Sequence, residues 1–331
     1  MLSKTGYQTE GVLGQNVSYG NTDRRIEYTK WQKKKRRTMR GSLRRGWKGI
    51  FVKAALVILG VVIMYPLIVT FSNSFMSGNE ISYTYTSRLT VFDIVNGIQS
   101  KFIQIPVIPG SATVSQYSEV LINQPSFMVL LTNSLKIAVP VVLGNLIVSL
   151  LTAFGFTMWK WKYKETVFFI YIVVMLMPLQ AVLVPNYIIA DRLGLTNSYL
   201  AIILPGIFAP FGTFLLRQSL KAMPKEYFEA AQVDGASFRY IFTNIVIPQM
   251  KSGIAALSML VFIEYWNVVE QVVIFIKDYI REPLSVYLSR LSSSNADIIF
   301  AASCIYMFLP LWFLLLGQED LEKGIELSGI K

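Results

Sequence analysis

Histidine is absent from this sequence, and cysteine occurs once, as Cys304. Without imidazole groups or several thiols, the chain lacks the ligand sets of ordinary zinc sites and the general base of histidine-dependent nucleophilic catalysis. A single cysteine also cannot form a disulfide within the chain. These absences argue against a metal-dependent hydrolase and against a histidine-based enzyme.

Charged residues are scarce as well, at 15% of the 331 residues, whereas hydrophobic residues make up 53%. Soluble globular domains carry about 25% charged residues. The composition is therefore that of a polytopic membrane protein, and we expect an all-α integral membrane fold. Runs of mostly apolar residues long enough to cross a bilayer, about twenty residues each, predict six transmembrane helices. They lie at about 50–71, 129–158, 167–189, 199–216, 253–276 and 298–316.

Much of the net charge of +11 lies between Arg24 and Lys48. Such a block can be a nucleic-acid-binding arm. Because it leads directly into the first apolar run, it instead indicates a cytoplasmic anchor whose positive charges lie on anionic lipid headgroups. It is too long for the basic region of a signal peptide. We interpret residues 1–49 as a basic, disordered cytoplasmic tail, and we predict no nucleic-acid partner.

Basic residues between the apolar runs predict the orientation of the chain, because cytoplasmic loops are enriched in lysine and arginine. With the N-terminus inside, an even number of helices also places the C-terminus inside. Three basic residues fall on the predicted outer side, where two acids partly offset them. The inner group is Lys160, Lys162, Lys164, Arg217, Lys221, Lys225 and Arg239, and the outer group is Lys277, Arg281 and Arg290, with Asp278 and Glu282.

The longest predicted extracellular segment is 76–127. Alternating tyrosine and threonine, β-branched runs and a Pro-Gly pair predict short strands or a small ordered cap. Such a cap is a candidate surface for a partner protein. The alternative interpretation is a loosely packed loop.

A polar, helix-prone segment, EAAQVDGASFRYIFTNIVIP, separates the fourth and fifth apolar runs at Glu229–Pro248. Gly235 is placed to end one helix in a left-handed conformation, and a second helix can follow it as far as the proline. Ala230 and Ala231 would let another backbone approach closely. The segment therefore predicts a helical hairpin that can lie in a partner's groove, within a cytoplasmic region at 218–250.

These residues resemble the EAA motif of the permease subunits of bacterial ABC importers. The pattern is Glu229-Ala230-Ala231, three residues, Gly235, nine residues, Ile245, one residue and Ile247-Pro248, with Ile247 where the family prefers leucine. Other segments resemble the carbohydrate-uptake branch, in particular its MalG-like permease subunit. They are NSLKIAVPVVL, MPLQAVLVPNYIIADRLGLTNSYLAIILP, FIEYWN and KGIELSGIK.

The resemblance covers residues 50–331 and implies that they form a transmembrane domain with the type I ABC importer permease fold. It implies a bacterial cell-membrane complex with a second, different permease subunit, two ATP-binding subunits and an extracellular solute-binding protein. The sequence has no GxxxxGK[ST] phosphate loop, so ATP and Mg²⁺ are expected on the partner ATPase, with no cofactor in this chain. The implied ATPase-coupling residues are Glu229, Ala230, Ala231, Asp234, Gly235 and Pro248, with Gly324, Gly329 and Lys331 as a C-terminal contact.

Glu264 lies in an apolar run. A carboxylate at membrane depth costs free energy, so an ionisable residue there usually has a function. On one continuous helix, Glu264, Asn267 and Gln271 would share a polar face. One interpretation is a substrate path in which they bind sugar hydroxyls and Tyr265 or Trp266 stacks nearby. The other is a buried polar contact with the second permease. In the family an acidic-aromatic pair follows the tryptophan and asparagine, and here Val268 and Val269 stand there instead.

The sequence therefore predicts a permease subunit that moves a sugar or oligosaccharide across the membrane by alternating access. It is not expected to be an enzyme itself. A permease for a non-sugar solute remains an alternative. A proton-coupled secondary transporter that uses Glu264 is another, although it leaves the EAA segment unexplained, and a membrane scaffold without transport is a third.

Overall fold

The computed structural model describes residues 51–85, 106–224, 226–291 and 296–327. In these ranges the regular structure is helical, and β pairing is limited to one isolated antiparallel bridge between Met76 and Ala112. The predicted all-α fold is confirmed. The tail at 1–49, together with Gly329 and Lys331, lies outside the described residues.

The main helices, numbered along the chain, are α1 to α14. Residues 51–66 form a unit of their own, and the compact unit described below begins at Leu67. The bounds are α1 Phe51–Asn73, α2 Gly78–Tyr85, α3 Ser115–Ser118, α4 Pro125–Met158, α5 Lys164–Met175, α6 Leu179–Arg192, α7 Leu200–Ile207, α8 Pro210–Lys221, α9 Glu226–Val233, α10 Phe238–Gln249, α11 Lys251–Trp266, α12 Glu270–Phe275, α13 Leu284–Arg290 and α14 Ala296–Leu327.

Four described helical stretches are long and apolar enough to cross a membrane: α1, α4, the α7–α8 stretch Leu200–Lys221 and Ile298–Gly324 within α14. Two further pairs qualify only if each bent pair is one span. The α5–α6 pair bends by 97° and the α10–α11 pair by 73°. The described part of the chain thus has four candidate spans, or up to six. The predicted third run is broken before Pro178, because proline disfavours the α conformation of the residue that precedes it.

Helix α4 lies at the centre of the compact unit, where it contacts α7, α8, α11 and α13. The approach of α8 to α4 depends on Gly212, because a Cβ atom there would overlap the side-chain oxygens of Ser149 and Asn145. Helix α14 packs along α11 and also contacts α13. Small residues at such contacts are typical of helices that associate in membranes.

The break between α7 and α8 is held by Asn145, a buried residue of α4. Its Nδ2 atom donates to the carbonyl oxygens of Gly206 at 3.0 Å, Ile207 at 3.2 Å and Ala209 at 3.3 Å. These carbonyls lie where the chain leaves α7, immediately before Pro210 begins α8. Broken helices are tolerated at membrane depth only when such freed backbone groups find partners.

Arg217, which the sequence placed among the inner flanking charges, is buried, with 1% of its side chain exposed. Its Nη2 atom lies 2.6 Å from Glu165 Oε1, and its guanidinium carbon lies 3.7 Å from the centre of the Phe168 ring. Both partners belong to α5. The arginine therefore ties α8 to α5 through an ion pair and a cation–π contact.

The segment between α1 and α4 contains helices α2 and α3 where short strands were predicted, so the strand prediction is wrong for its described part. The segment is nevertheless ordered there: the buried Gln116 donates to the carbonyls of Asn73 and Met76, each at 2.8 Å. Glu80 accepts from the backbone N–H of Gly110 at 2.7 Å, and this hydrogen bond lowers the pKa of Glu80. Residues 86–105 lie outside the described residues.

Candidate functional site

Helices α9 and α10 lie on either side of a turn in the segment where the sequence predicts a helical hairpin, and this α9–turn–α10 segment is called the hairpin below. Gly235 connects them with a φ of +74°, a left-handed conformation that ends α9. The backbone N–H of Ala236 donates to Ala231 O at 2.9 Å and closes this turn. The Ser237 hydroxyl then accepts from the backbone N–H of Tyr240 at 3.3 Å, which caps the start of α10.

The need for glycine at position 235 comes from the backbone alone. A Cβ atom at Gly235 would meet nothing within 4 Å, so there is space for a larger side chain. The positive φ is the constraint, because residues other than glycine, asparagine and aspartate rarely adopt it. A β-branched residue at this position would therefore change the direction of the hairpin by clashing with its own backbone, not with another part of the chain.

One face of the hairpin packs against the rest of the chain, and the other is exposed. Phe228, Ala231 and Ile241 are buried, so Ala231 faces this chain's own core. Ala230, Glu229 and Asp234 are exposed. Large apolar side chains on the hairpin are exposed too, which is typical of a surface that another protein covers. They are Tyr227 at 53%, Val233 at 86%, Phe238 at 54% and Tyr240 at 55%.

Neither Glu229 nor Asp234 forms an ion pair with another described residue. Pro248 is exposed in the last turn of α10, just before the 73° bend into α11. A π-helical turn at Phe242–Val246 precedes it. Since proline cannot donate the backbone hydrogen bond that an α-helix needs, a widened turn is expected nearby.

A polar cavity of about 450 Å³ lies beside the end of α11. Glu264, Tyr265 and Gln271 contribute to its wall, and Asn186 adds an amide from α6. A second cavity of about 300 Å³ shares the first three residues and also reaches Asn267. The side chains that line both cavities offer hydrogen-bond donors and acceptors on a mainly apolar background, which suits a polyhydroxylated ligand.

The predicted common helical face is wrong, although its three members all line the smaller cavity. Helix α11 ends at Trp266, and α12 begins only at Glu270. Val269, at the break, has a φ of −125°, which is outside the helical range. Glu264 and Gln271 therefore approach each other across a bend between two helices.

Trp266 does not line either cavity. It is fully buried, its ring lies 5.4 Å from those of Phe262 and Tyr306 in stacked arrangements, and its indole N–H donates to Tyr306 O at 3.2 Å. Tyr306 returns a hydrogen bond from its hydroxyl to Trp266 O at 2.8 Å. Trp266 therefore fixes α11 against α14, whereas the neighbouring Tyr265 faces the cavity.

Sequence reasoning missed three polar residues of this region: Gln180 and Asn186 on α6, and Glu270 at the start of α12. Gln180 Nε2 donates to Glu270 Oε2 at 3.2 Å, which joins the two helices at the edge of the smaller cavity. The available signal was the presence of two amide side chains in the apolar run 167–189, because polar groups are expensive at membrane depth.

Gly324 has a packing role in the structure. A Cβ atom there would lie 2.6 Å from both Ala256 Cβ and Ser252 O, so the glycine lets α14 approach the start of α11. The Ser252 hydroxyl also donates to Asp320 Oδ1 at 3.0 Å. These contacts are within the chain and account for the glycine without a partner.

Residues 145–318, which include the hairpin and most of the cavity wall, match the family described as binding-protein-dependent transport system inner membrane component. Three relatives illustrate the similarity. The arabinooligosaccharides transport system permease protein AraQ of Halalkalibacterium halodurans is 24% identical, covering 76% of this chain and 95% of that one. The sn-glycerol-3-phosphate transport system permease protein UgpE of Escherichia coli O1:K1 is 28% identical, over 67% and 74%. The lactose transport system permease protein LacG of Rhizobium radiobacter is 34% identical, over 49% and 59%.

Among solved structures, the fold is similar to a chain of a bacterial ABC transporter involved in the import of the acidic polysaccharide alginate. The TM-score is 0.66 at 21% sequence identity, and the match covers 82% of this chain and 95% of that chain. Because the family match spans 174 of 331 residues, the chain belongs to the inner membrane components of binding-protein-dependent transport systems.

Proposed function

We propose that this chain is one permease half of an ATP-driven importer that moves a sugar or oligosaccharide across the bacterial inner membrane. The arabinooligosaccharide and lactose permeases among its relatives support a carbohydrate cargo. The polar cavity supports it as well, because amide, hydroxyl and carboxylate groups are the ordinary partners of sugar hydroxyls. The glycerol-3-phosphate relative makes a small non-sugar solute the first alternative.

In this proposal residues 50–331 form a transmembrane domain with six spans, in which the α5–α6 pair crosses the membrane once and the fifth span is the run 253–276, which begins within α11. Both chain ends, residues 1–49 and the region 218–250 are cytoplasmic, and the segment 76–127 is extracellular. A second permease subunit completes the pathway, since the cavity is open at its edge. A solute-binding protein delivers the cargo, as in the related alginate transporter that was solved with a periplasmic protein carrying an alginate pentasaccharide.

The hairpin of α9 and α10 is the proposed contact with the ATP-binding subunit, and its exposed face is the observation that carries the proposal. Glu229, Ala230 and Asp234 lie on that face beside exposed aromatic side chains. Such a helix suits a hydrophobic groove with a basic rim. ATP and Mg²⁺ are bound and hydrolysed on the partner.

Transport follows if ATP binding favours one of two conformations that differ little in free energy. The hairpin continues through α10 into α11, which ends at the cavity. Movement of the hairpin is thereby transmitted to Glu264 and Tyr265 by a helix of sixteen residues. Gly235 sets the direction of α9 relative to that helix.

Cysteine crosslinking tests this interface with a matched pair of variants. In a Cys304→Ser background, we expect Ala230→Cys to crosslink to a cysteine in the groove of the ATP-binding subunit. Ala231→Cys is the control, since it differs by one position and faces the core of this chain. Equal crosslinking of both variants, or of neither, would contradict the proposed contact.

Transport assays separate this function from a proton-coupled one. In proteoliposomes that contain the complete complex, uptake should require ATP and the binding protein and should persist when the proton gradient is dissipated. Uptake that survives inactivation of the ATPase but stops with the gradient would establish the secondary transporter. Absence of sugar-stimulated ATP hydrolysis would favour a scaffold without transport.

A further inference from the structure

A wide groove of about 670 Å³ lies along the end of α4, on the opposite end of that helix from the contact with α13. Its volume is in the range of small-molecule sites, which is roughly 300–1,000 Å³. It is separate from the polar cavity and from the hairpin. The lining residues are Leu151, Thr152, Gly155, Phe156, Trp159, Lys160 and Trp161.

Gly155 leaves one wall of this groove without a side chain. A Cβ atom at this position would approach only Trp159, at 3.9 Å, so the space beside the helix is open. Phe156 forms a fixed wall, because its ring packs edge-on to Phe168 at 5.4 Å and lies 5.7 Å from the guanidinium carbon of Arg217. The groove is therefore preformed in the chain.

The mouth of the groove is basic and aromatic. The sequence WKWKYK at 159–164 follows α4 directly, with Trp159 66% exposed and Trp161 44% exposed. Lys160 lines the groove. Lys162 lies two residues further along the chain, with its ammonium nitrogen 5.4 Å from the centre of the Tyr163 ring. Neither lysine forms an ion pair with another described residue. Tryptophan and lysine together are typical of the depth at which lipid headgroups lie.

We propose that this groove binds an anionic phospholipid. One acyl chain lies along Leu151, Gly155 and Phe156, and the headgroup phosphate lies between the ammonium groups of Lys160 and Lys162. The apolar floor accounts for the acyl chain. The ammonium groups of Lys160 and Lys162, which have no acidic partner among the described residues, account for the preference for an anionic over a zwitterionic headgroup. The site belongs to α4 and its following turn, so it does not depend on the cargo or on the ATPase.

Quenching of tryptophan fluorescence by brominated lipids tests the proposal on the full chain. Trp31, Trp47 and Trp312 are first replaced by phenylalanine, which leaves Trp159, Trp161 and the fully buried Trp266. The protein is reconstituted in phosphatidylcholine, and dibrominated phosphatidylglycerol or dibrominated phosphatidylcholine replaces part of it. The ratio of the concentrations at which the two brominated lipids quench equally measures the preference for the anionic lipid.

We expect the anionic lipid to quench at a concentration at least about fivefold lower than the zwitterionic lipid, since one lysine near a membrane surface contributes a factor of about five. Lys160→Gln and Lys162→Gln should each remove up to about that factor. Gly155→Leu should weaken quenching by both lipids, because the leucine fills the groove. Gly60→Leu is its control, since it adds the same side chain at a glycine of α1 where a Cβ atom would meet nothing within 4 Å.

Equal quenching by the two lipids in the unmodified groove would overturn the proposal and leave only annular lipid. A preference that survives both lysine substitutions would overturn it too. Because both lysines are exposed, these variants do not rely on Gly155→Leu folding. The measurement is repeated on the assembled complex, where loss of quenching by either lipid would show that a protein subunit covers this face.

Discussion

Arg217 is a buried cation whose partner, Glu165, keeps 65% of its side chain exposed. Lys221 contacts the same carboxylate at 3.9 Å but is itself 46% exposed. Arg217 and Lys221 therefore allow a buried and an exposed base that contact the same carboxylate to be compared. Exposed ion pairs contribute little, whereas a buried hydrogen bond to a charged group contributes more.

Arg217→Ala should lower the free energy of unfolding by about 1.5–3 kcal/mol, because it removes the ion pair and leaves the Phe168 ring without its cation. Lys221→Ala should change it by less than about 1 kcal/mol. Thermal melting of the two variants in detergent, followed by circular dichroism, measures the difference. Similar melting temperatures would mean that the α5–α8 contact does not depend on this pair.

Substitutions of Glu264 can separate the effect of its charge on uptake from the effect of its hydrogen bonds at the cavity. If it accepts hydrogen bonds from a sugar, Glu264→Gln should keep uptake within a few-fold of the unsubstituted transporter. Glu264→Ala should lower it by about tenfold or more, since a hydrogen bond to a charged group contributes about 1.5–3 kcal/mol. Initial rates of uptake in proteoliposomes test both variants. Equal loss in both would point to a proton-carrying role for the carboxylate.

Single residues were partly predictable. Glu264 and Gln271 were identified because polar groups in an apolar run are costly, and the structure puts both at one cavity. Trp266 was placed in the same group by proximity in sequence alone, yet its ring lies in the core. The orientation of a side chain at a helix end depends on how the helix stops, and no residue near Asn267 marks that break in the way that a proline would.

At the scale of elements, the turn between α9 and α10 was the most predictable feature. Gly235 and Ser237 supply a left-handed turn and an N-cap, which are local signals that one sequence can carry. Breaks within apolar runs were less predictable. Pro178 disfavours helix at the end of α5 but does not by itself specify a bend of 97°, and the α7–α8 break depends on Asn145 from another helix.

Substitutions at Gly235 should separate backbone conformation from side-chain size. Gly235→Asn should largely preserve coupling, because asparagine tolerates a positive φ, whereas Gly235→Val should cost about 1–2 kcal/mol or more in the turn and misdirect α9. The measurement is the ratio of sugar uptake to ATP hydrolysis in the reconstituted complex. The valine variant should hydrolyse ATP with reduced uptake while still inserting in the membrane. Normal uptake by Gly235→Trp would refute this role for the turn.

At the scale of the whole molecule, the sequence predicted an all-α membrane chain and six apolar runs. The runs coincide with the four clear candidate spans and with parts of the two bent pairs. Hydropathy identifies which residues can lie in lipid, but it does not reveal whether a run with a sharp bend crosses the membrane or returns. The count of six therefore depends on the bent pairs.

Reporter fusions can test the count at the α5–α6 pair. With six spans, a reporter inserted after Trp161 should be cytoplasmic, and one inserted after Asn197 should be on the outer side, because the bent pair lies between them. Alkaline phosphatase and green fluorescent protein give opposite activity on the two sides. If both insertions report the same side, the α5–α6 pair is a re-entrant loop and the chain has fewer spans.

The hydrogen bonds that Asn145 donates to the α7–α8 break carry a consequence for how such chains can recombine. The shape of the fourth apolar run is specified by a residue of the second, so neither run is an independent module. A chimera that inherits the break from one parent and a different residue at position 145 from the other would leave up to two backbone carbonyls, those of Ile207 and Ala209, unsatisfied in lipid, since the Gly206 carbonyl also accepts from Ala209 N. We expect chimeras between related permeases to fold when α4 and the α7–α8 stretch come from the same parent. These two segments, and not single helices, are therefore the parts that can be exchanged.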